Sequence, residues 1–557
     1  MIVLDFETYS KVDLSRVGAY AYAYHPTTQI RCCAWQDTTQ PDQPPQIALV
    51  DQLDTIPGIT DPTTPKAAHN AGFDRHILAR WANNPRLADP AAWTCTMALT
   101  ALDGAPQGLA AVAEHYGLPG KHAAGTRLLR RWAGGEYYRP EDAPLEWEEL
   151  LAYARQDATI CAELLARLPA WSTFERRVWV ESEHVNDRGL KIDLALCELA
   201  AQAAEDHQKQ VYDQLAGLLN IENPRSPKQL LPALHAQGYP HKNLQAETIT
   251  DTLTYPPTDL TDTGYTALKL REQLAGTATR KYQTLIDAAD PNDQRIRGMY
   301  QYHGAHTGRW AGRLVQPQNL PRATNTPYTT TVDLHLGNPA SYDQLRGLIR
   351  HTIQGPLIVG DYAQIESRIL AWQAGETWLL DAYHEGRDVY TETGRRLGAD
   401  RRTGKIAVLA LGYGGGTGAL RRAGLLGSDD QLSKIVNAWR QHNPRIVAYW
   451  RRLEQDHNPK GYLLPSGRVL HARADSWGGR LAENIVQAIA RDLLATHLLM
   501  CAEEEQRVVG HVHDELICEP PTTPSTLKMI METVPDWAEG LPLKAEIKTG
   551  LTYATLG

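Results

Sequence analysis

Leu357-Ile358-Val359-Gly360-Asp361-Tyr362-Ala363-Gln364-Ile365-Glu366-Ser367-Arg368 is the stretch on which the reading of this chain turns. Consecutive aliphatic residues with no polar alternation predict a buried strand. Asp361 stands at its end, where a helical pattern begins. An aspartate at such a junction is often only a helix cap, so it needs a partner before chemistry can be assigned. The partner lies downstream. Val508-Val509-Gly510-His511-Val512 and Leu516-Ile517-Cys518 flank His513-Asp514-Glu515, which predicts a hairpin with an acid at its tip. Carboxylates at the ends of two strands can share a pair of divalent cations.

Between the two acids, Arg401, Lys405, Leu409 and Tyr413 recur every four residues. On one helix they would form a drifting stripe of two cations, an apolar contact and a ring. That order suits a nucleotide lying along the helix, cations at its phosphates and apolar groups at sugar and base. Without its neighbours the stripe would read as an ordinary amphipathic helix with a solvated basic face. Gly414-Gly415-Gly416 is expected to end the helix where a base pair needs backbone clearance.

A second set of acids opens the chain. Asp5 and Glu7 lie two apart on a predicted strand, Ile2-Val-Leu-Asp-Phe6, and leave the same face. Asp74 follows His69-Asn70-Ala71-Gly72-Phe73, at a strand-like start to a helix expected from Arg75 to Trp81. Tyr153 and Asp157 are four apart on a long helical pattern, hence neighbours on one face. Each pair alone is more often polar surface than catalyst. Four carboxylates and a tyrosine converging on one point suit two-metal phosphodiester hydrolysis, with the tyrosine orienting the attacking water.

Composition permits this chemistry without arguing for it. The chain has 557 residues, 42% hydrophobic and 22% charged, enough for roughly three or four soluble domains. Its net charge of −9 is unfavourable for phosphate contacts, yet cations are grouped. Arg295, Arg297, Arg309, Arg313 and Arg322 form one tract; Arg395, Arg396, Arg401, Arg402 and Lys405 form another. The N-terminus lacks the basic and apolar regions of a signal peptide, and no uninterrupted apolar run is long enough to cross a bilayer. Seven cysteines without metal-ligand spacing predict reduced thiols, and Cys32-Cys33 reads as strand packing. Asp193 is a good cap for a helix to about Leu219, and Ser226-Pro227 for a shorter one.

Taken in order, the runs around Asp361, Arg401–Gly414 and Asp514 resemble motifs A, B and C of the family A DNA polymerases, the group of bacterial DNA polymerase I. The set Asp5, Glu7, Asp74, Tyr153 and Asp157 resembles the motifs of the DEDD 3′–5′ exonucleases, in the version with tyrosine in motif III. Thr307-Gly308-Arg309 with Gln318-Asn319-Leu320-Pro321, and Arg480, Asn484 and Gln487, are similar to family segments that touch primer and template. Four departures stand out: Ala363 and Ser367 in motif A, Leu409 where the family has phenylalanine or tyrosine, and Tyr390 where a histidine is common near the triphosphate. Gln487 also lies one residue closer to Asn484 than usual.

The resemblance implies a multidomain protein of α/β and α+β parts, a ribonuclease-H-like exonuclease followed by a right-hand polymerase. Its expected parts are an exonuclease domain at 1–172, a thumb at 173–294, palm at 295–375 and 456–557, and fingers at 376–455. It implies template-directed DNA synthesis with proofreading, in a short phage-like form with no 5′-nuclease domain. By resemblance, Asp361, Asp514 and the Tyr362 carbonyl hold two magnesium ions, with Glu515 alongside, and manganese could substitute. Asp5, Glu7, Asp74 and Asp157 hold two more. Gln364, Ile365, Glu366, Arg401, Lys405, Leu409 and Tyr413 would meet the nucleotide, with Glu366 beneath the sugar excluding a 2′-hydroxyl. Arg309, Gln318, Asn319, Arg480, Asn484, Gln487 and His513 would meet DNA. Expected partners are primer-template DNA and dNTPs, with a replication helicase or primase nearby; a monomer in the cytoplasm of a phage-infected bacterium, without membrane, is implied. The rivals are a single-subunit RNA polymerase-like enzyme, against which Glu366 and the N-terminal acids argue, and a catalytically inactive DNA-binding scaffold, against which the intact acids argue.

Overall fold

The computed structural model describes residues 1–120, 125–322, 327–456, 458, 461–471 and 477–556. The chain divides into two compact units. One comprises Met1–Gly189, Arg297–Gln318 and Leu357–Thr549; the other comprises Leu190–Ile296, Asn319–Pro356 and Gly550–Gly557.

The first unit holds two larger sheets. Its N-terminal sheet contains β1 (Ile2–Tyr9), β2 (Gln29–Asp37), β3 (Gln46–Leu49), β4 (Lys66–Ala68) and β5 (Trp93–Cys95), in the order β3-β2-β1-β4-β5. The β1–β2 and β2–β3 pairs are antiparallel, whereas β1–β4 and β4–β5 are parallel. The central strand β1 is buried almost throughout, as its apolar residues require. Cys32 and Cys33 are wholly buried on β2, and all seven cysteines are buried free thiols. The helix Pro144–Arg167 packs on β1 and β2 through Trp147, Leu150, Leu151 and Ala154.

The second sheet has the strand order Arg507–Val512, Glu515–Glu519, Gln354–Tyr362, Ala545–Thr552. Behind it runs the helix Gly478–Glu503, which has the length and mean apolarity of a membrane span although charges interrupt its apolar run. Most of it is buried in the fold, and Arg491 and Asp492 in its middle are ion-paired at 3.1 Å. Its apolarity is therefore spent on a protein core.

In the second unit, Asp193 caps the Leu194–Leu219 helix by accepting from Leu196 N at 2.9 Å, and Pro227 takes the first position of the Pro227–His235 helix. Val211, Leu215, Leu230, Leu234, Ala267 and Leu268 form its core.

Candidate active sites

In the second sheet, Leu357, Ile358 and Val359 are buried, and Asp361 pairs in register with Glu515 across antiparallel strands. The Tyr362 N–H donates to the Asp514 carbonyl at 3.2 Å, which fixes the two aspartates on adjoining strand ends. Burial pushes the Asp514 carboxyl up to about 7, and the negative field of Asp361 adds to it. The Tyr362 ring is locked from behind. Its hydroxyl bonds His497 Nδ1, and His497 Nε2 is 2.8 Å from the Thr533 carbonyl, so Nε2 carries the proton and Nδ1 accepts. Burial lowers the His497 pKa to about 4, which keeps that tautomer neutral. Gln364 takes a left-handed conformation (φ 55°) and turns the chain into the Ile365–Ala374 helix, on which Ile365 is buried. His513 turns the hairpin at φ 50°.

Glu366 joins three of the expected residues. It accepts from Arg309 at 2.9 Å and from the Tyr413 hydroxyl at 3.4 Å. Arg309 and Glu366 also act electrostatically on His513 and Asp514, so these groups lie within electrostatic reach of the acids. Arg309 is placed by a network that the sequence reading missed. Arg491 donates to Gly308 O at 3.0 Å and to both Glu175 oxygens at 2.6 and 2.8 Å, and Arg468 donates to Thr307 O at 3.0 Å. Burial would raise the Glu175 carboxyl, but Arg491, Tyr302 and Arg468 together outweigh it and hold the pKa at about 2. Glu483 was missed as well: burial and then Glu366 raise its pKa, with Arg480, Arg309 and His306 opposing.

Asp400 caps the Arg401–Leu411 helix by accepting from Thr403 N at 2.8 Å. Arg401 pairs with Asp388 at 2.7 Å, and Arg401 and Lys405 lie 5.5 and 5.9 Å from the centre of the Tyr390 ring. That ring is close because Gly404 packs on the backbone of the Val389–Arg396 helix; a Cβ there would fall 2.0 Å from Tyr390 O. Leu409 is 61% exposed and borders a small cavity also lined by Glu366, Leu370, Trp378 and Tyr413. One expectation is corrected. The helix ends at Leu411, not at Gly414, so Tyr413 lies past its end; the glycines at 412, 414 and 415 resist helix continuation, and Gly414 is left-handed at φ 80°. Asn484 is buried and Arg480 exposed, and Gln487 donates to Glu483 at 3.2 Å. Gln318 Oε1 approaches Gly312, where a Cβ would lie 2.4 Å away. Asn319 is exposed and belongs to the second unit.

At the N-terminal sheet, Phe6 N donates to Asp74 Oδ1 at 3.1 Å and draws that carboxylate to β1 between Asp5 and Glu7. A second correction belongs here. The helix bearing Asp74 runs Ala71–Trp81, so Asp74 is in its first turn rather than ahead of it; Asn70, left-handed at φ 70°, starts the helix early. Burial and Asp5 push the Asp74 carboxyl well up. Burial, then Asp157, Glu7 and Asp5 raise the Tyr153 phenol, so these groups lie within electrostatic reach of one another. Among the described residues, no three His, Cys, Asp or Glu side chains are gathered closely enough to hold a metal by themselves. The donors are nonetheless hard carboxylate oxygens set near one another, Asp361 raising the Asp514 pKa and Asp5 that of Asp74, a repulsion that a hard divalent cation relieves. In donor chemistry both acid sites fit such ions.

The model for DNA polymerase family A matches residues 195–555. The chain is 31% identical to the DNA polymerase of Bacillus phage SP02, over 98% of each protein. It is 28% identical to DNA polymerase I of Chloroflexus aurantiacus over 84% of this chain, and spans about half of that protein, 52%. Among solved structures, the fold is similar to the POL domain of Pol1 from M. smegmatis in complex with DNA primer-template and dNTP. The TM-score is 0.65 at 18% identity, covering 99% of this chain and 95% of that one.

Proposed function

The chain belongs to the family A DNA polymerases, and from that premise we propose that it replicates phage DNA and proofreads it with its own 3′–5′ exonuclease. DNA-directed DNA polymerase activity follows from the family. The observation that carries the site assignment is the Tyr362 N–Asp514 O bond, which sets Asp361 and Asp514 on adjoining strand ends; Glu366, bonded to Arg309 and Tyr413, lies within electrostatic reach of Asp514.

In this reading Asp361, Asp514 and the Tyr362 carbonyl hold divalent cations, which when bound stabilise charge on the phosphoryl group under attack by the primer 3′-hydroxyl. Arg401 and Lys405 neutralise the triphosphate, exchanging their contacts with Asp388 and Tyr390 for phosphate oxygens. Glu366, held between Arg309 and Tyr413, lies beneath the sugar and leaves a 2′-hydroxyl crowded and poorly bonded. Asn484, Arg480 and Gln487 face the minor-groove acceptors common to all correct pairs.

The N-terminal sheet supports a ribonuclease-H-like reading through its order β3-β2-β1-β4-β5 and its mixed pairing. Asp5, Glu7, Asp74 and Asp157 would hold cations for hydrolysis of a 3′-terminal phosphodiester. Tyr153, kept protonated by its surroundings, orients the attacking water. The setting is the cytoplasm of an infected bacterium, where helicase or primase supplies the substrate to a monomeric enzyme. Primer extension with dNTPs or rNTPs, with and without magnesium, tests the reading: magnesium-dependent extension with dNTPs is expected, and extension with rNTPs alone would overturn it.

A further inference from the structure

The Arg401–Leu411 helix gives way to a glycine turn, and a large ring rests on that turn. Trp477 directly precedes the Gly478–Glu503 helix and is 49% exposed. A Cβ added to Gly414 would fall 2.5 Å from its Cζ3; one added to Gly479 would fall 2.1 Å from the same atom and 2.3 Å from Tyr413 O. Both neighbours must be glycine for the indole to sit where it does. The backbone therefore grips part of the ring, while about half of the residue stays open to solvent. Arg440 braces the turn by donating to Gly414 O and Gly415 O at 3.4 and 3.3 Å. Arg480, exposed, is on the first turn of the helix that Trp477 precedes.

Position along the fingers helix gives the ring a ligand. Arg401 and Lys405 are at its start, and Tyr413, past its end, reaches Glu366. A nucleotide whose phosphates lie at those cations brings its base toward Tyr413 and Gly414. The primer strand ends at that pair. The strand that continues past it is the template, single-stranded there, with base faces that have lost their stacking partner. An aromatic ring fixed against backbone is a sequence-tolerant substitute, because every base has a π-face. Nearby arginines complete the pattern of single-strand sites, in which cations track the backbone and rings take the bases.

We propose that Trp477 is a stacking platform for the first unpaired template base ahead of the insertion position. The proposal rests on the polymerase reading above and adds a template-positioning residue to it. The test compares two primer-templates, one ending at the templating base and one continuing for several unpaired nucleotides. Wild-type enzyme should bind the longer template more tightly by roughly tenfold, within the range of a base–aromatic stack. An abasic site at the first overhanging position should remove most of that advantage. In W477A the ratio of the two affinities should fall towards one, and W477F should restore most of it. An unchanged ratio in W477A overturns the proposal, as does a loss equal on both templates, which would mark a packing role in the fingers. If wild-type enzyme extends neither template, the polymerase reading itself has failed, and that outcome is separate from both.

Discussion

Asp5 and Glu7 project from a central strand and are met by acids from two helices, at residues 74 and 157, so their site is assembled by packing sheet against helix. Asp361 and Asp514 stand on neighbouring strand ends, and a register of strand pairs holds them together with no intervening helix. The first arrangement is a tertiary assembly of separate segments, and Asp74 and Asp157 are both nearly buried in it. The second is a local product of two strands and a turn.

The largest effect expected from this contrast is at the sheet-borne pair. Asp361→Ala or Asp514→Ala should each reduce extension at least about a hundredfold, because a lost shared ligand removes metal-ion stabilisation worth several kcal/mol. DNA binding, assigned in the proposed function to other residues, should persist in a gel-shift assay. Extension within about tenfold of wild type in either variant would break the assignment.

The support beneath the second site can be probed by acid. Glu175 has a folded pKa of about 2 against an ordinary 4.5. A depressed carboxylate stabilises the fold above the unfolded value, and that contribution is lost as pH falls from about 4.5 to about 2. It amounts to roughly 3 kcal/mol. Denaturant melts across that window should show the loss, and Glu175→Gln should flatten it while lowering stability at neutral pH. A mutant whose acid profile matched wild type would remove the ion pair with Arg491 from this role.

Smaller effects sharpen the account of the nucleotide's sugar. Glu366→Ala should relax rejection of rNTPs by tenfold or more, since about 1.4 kcal/mol corresponds to each factor of ten. It should also slow synthesis overall, because Arg309 and Tyr413 lose their shared acceptor. Equal ribonucleotide incorporation by wild type and variant would clear Glu366 of discrimination. The smallest change concerns Leu409, which is exposed beside the cavity that Glu366 lines. A tyrosine hydroxyl there can stand in for a missing 3′-hydroxyl, so Leu409→Tyr should accept dideoxynucleotides several-fold better. An unchanged dideoxy-to-deoxy ratio, with extension retained, would show that this side chain does not meet the sugar.

The same contrast governs how much the sequence disclosed. The strand at Leu357–Val359 and the hairpin at His513 were legible because a run of aliphatics and a polar turn carry their own geometry. The N-terminal acids could be gathered only by adding strand and helix periodicities, and Asp74 was misplaced because the left-handed Asn70 starts its helix early. The Arg401–Leu411 helix was drawn too long because its end was set at the run Gly414–Gly416, whereas Gly412 already caps it. Glu483 drew no notice in the sequence, because only burial and the field of Glu366 mark it out. Arg491 and Asp492 carried a missed signal: two charges in the middle of a long apolar helix must be buried and paired.

Two separate acid sites in one chain is the central claim, and a labelled primer with a 3′ mismatch on a longer template tests it most directly. With magnesium and dNTPs, wild-type enzyme should trim the mismatch and then extend. The Asp5→Ala/Glu7→Ala double variant should lose trimming yet extend a matched primer, while Asp361→Ala should trim the mismatch and fail to extend. Loss of both activities in either variant, or trimming that survives in the double variant, would contradict the account.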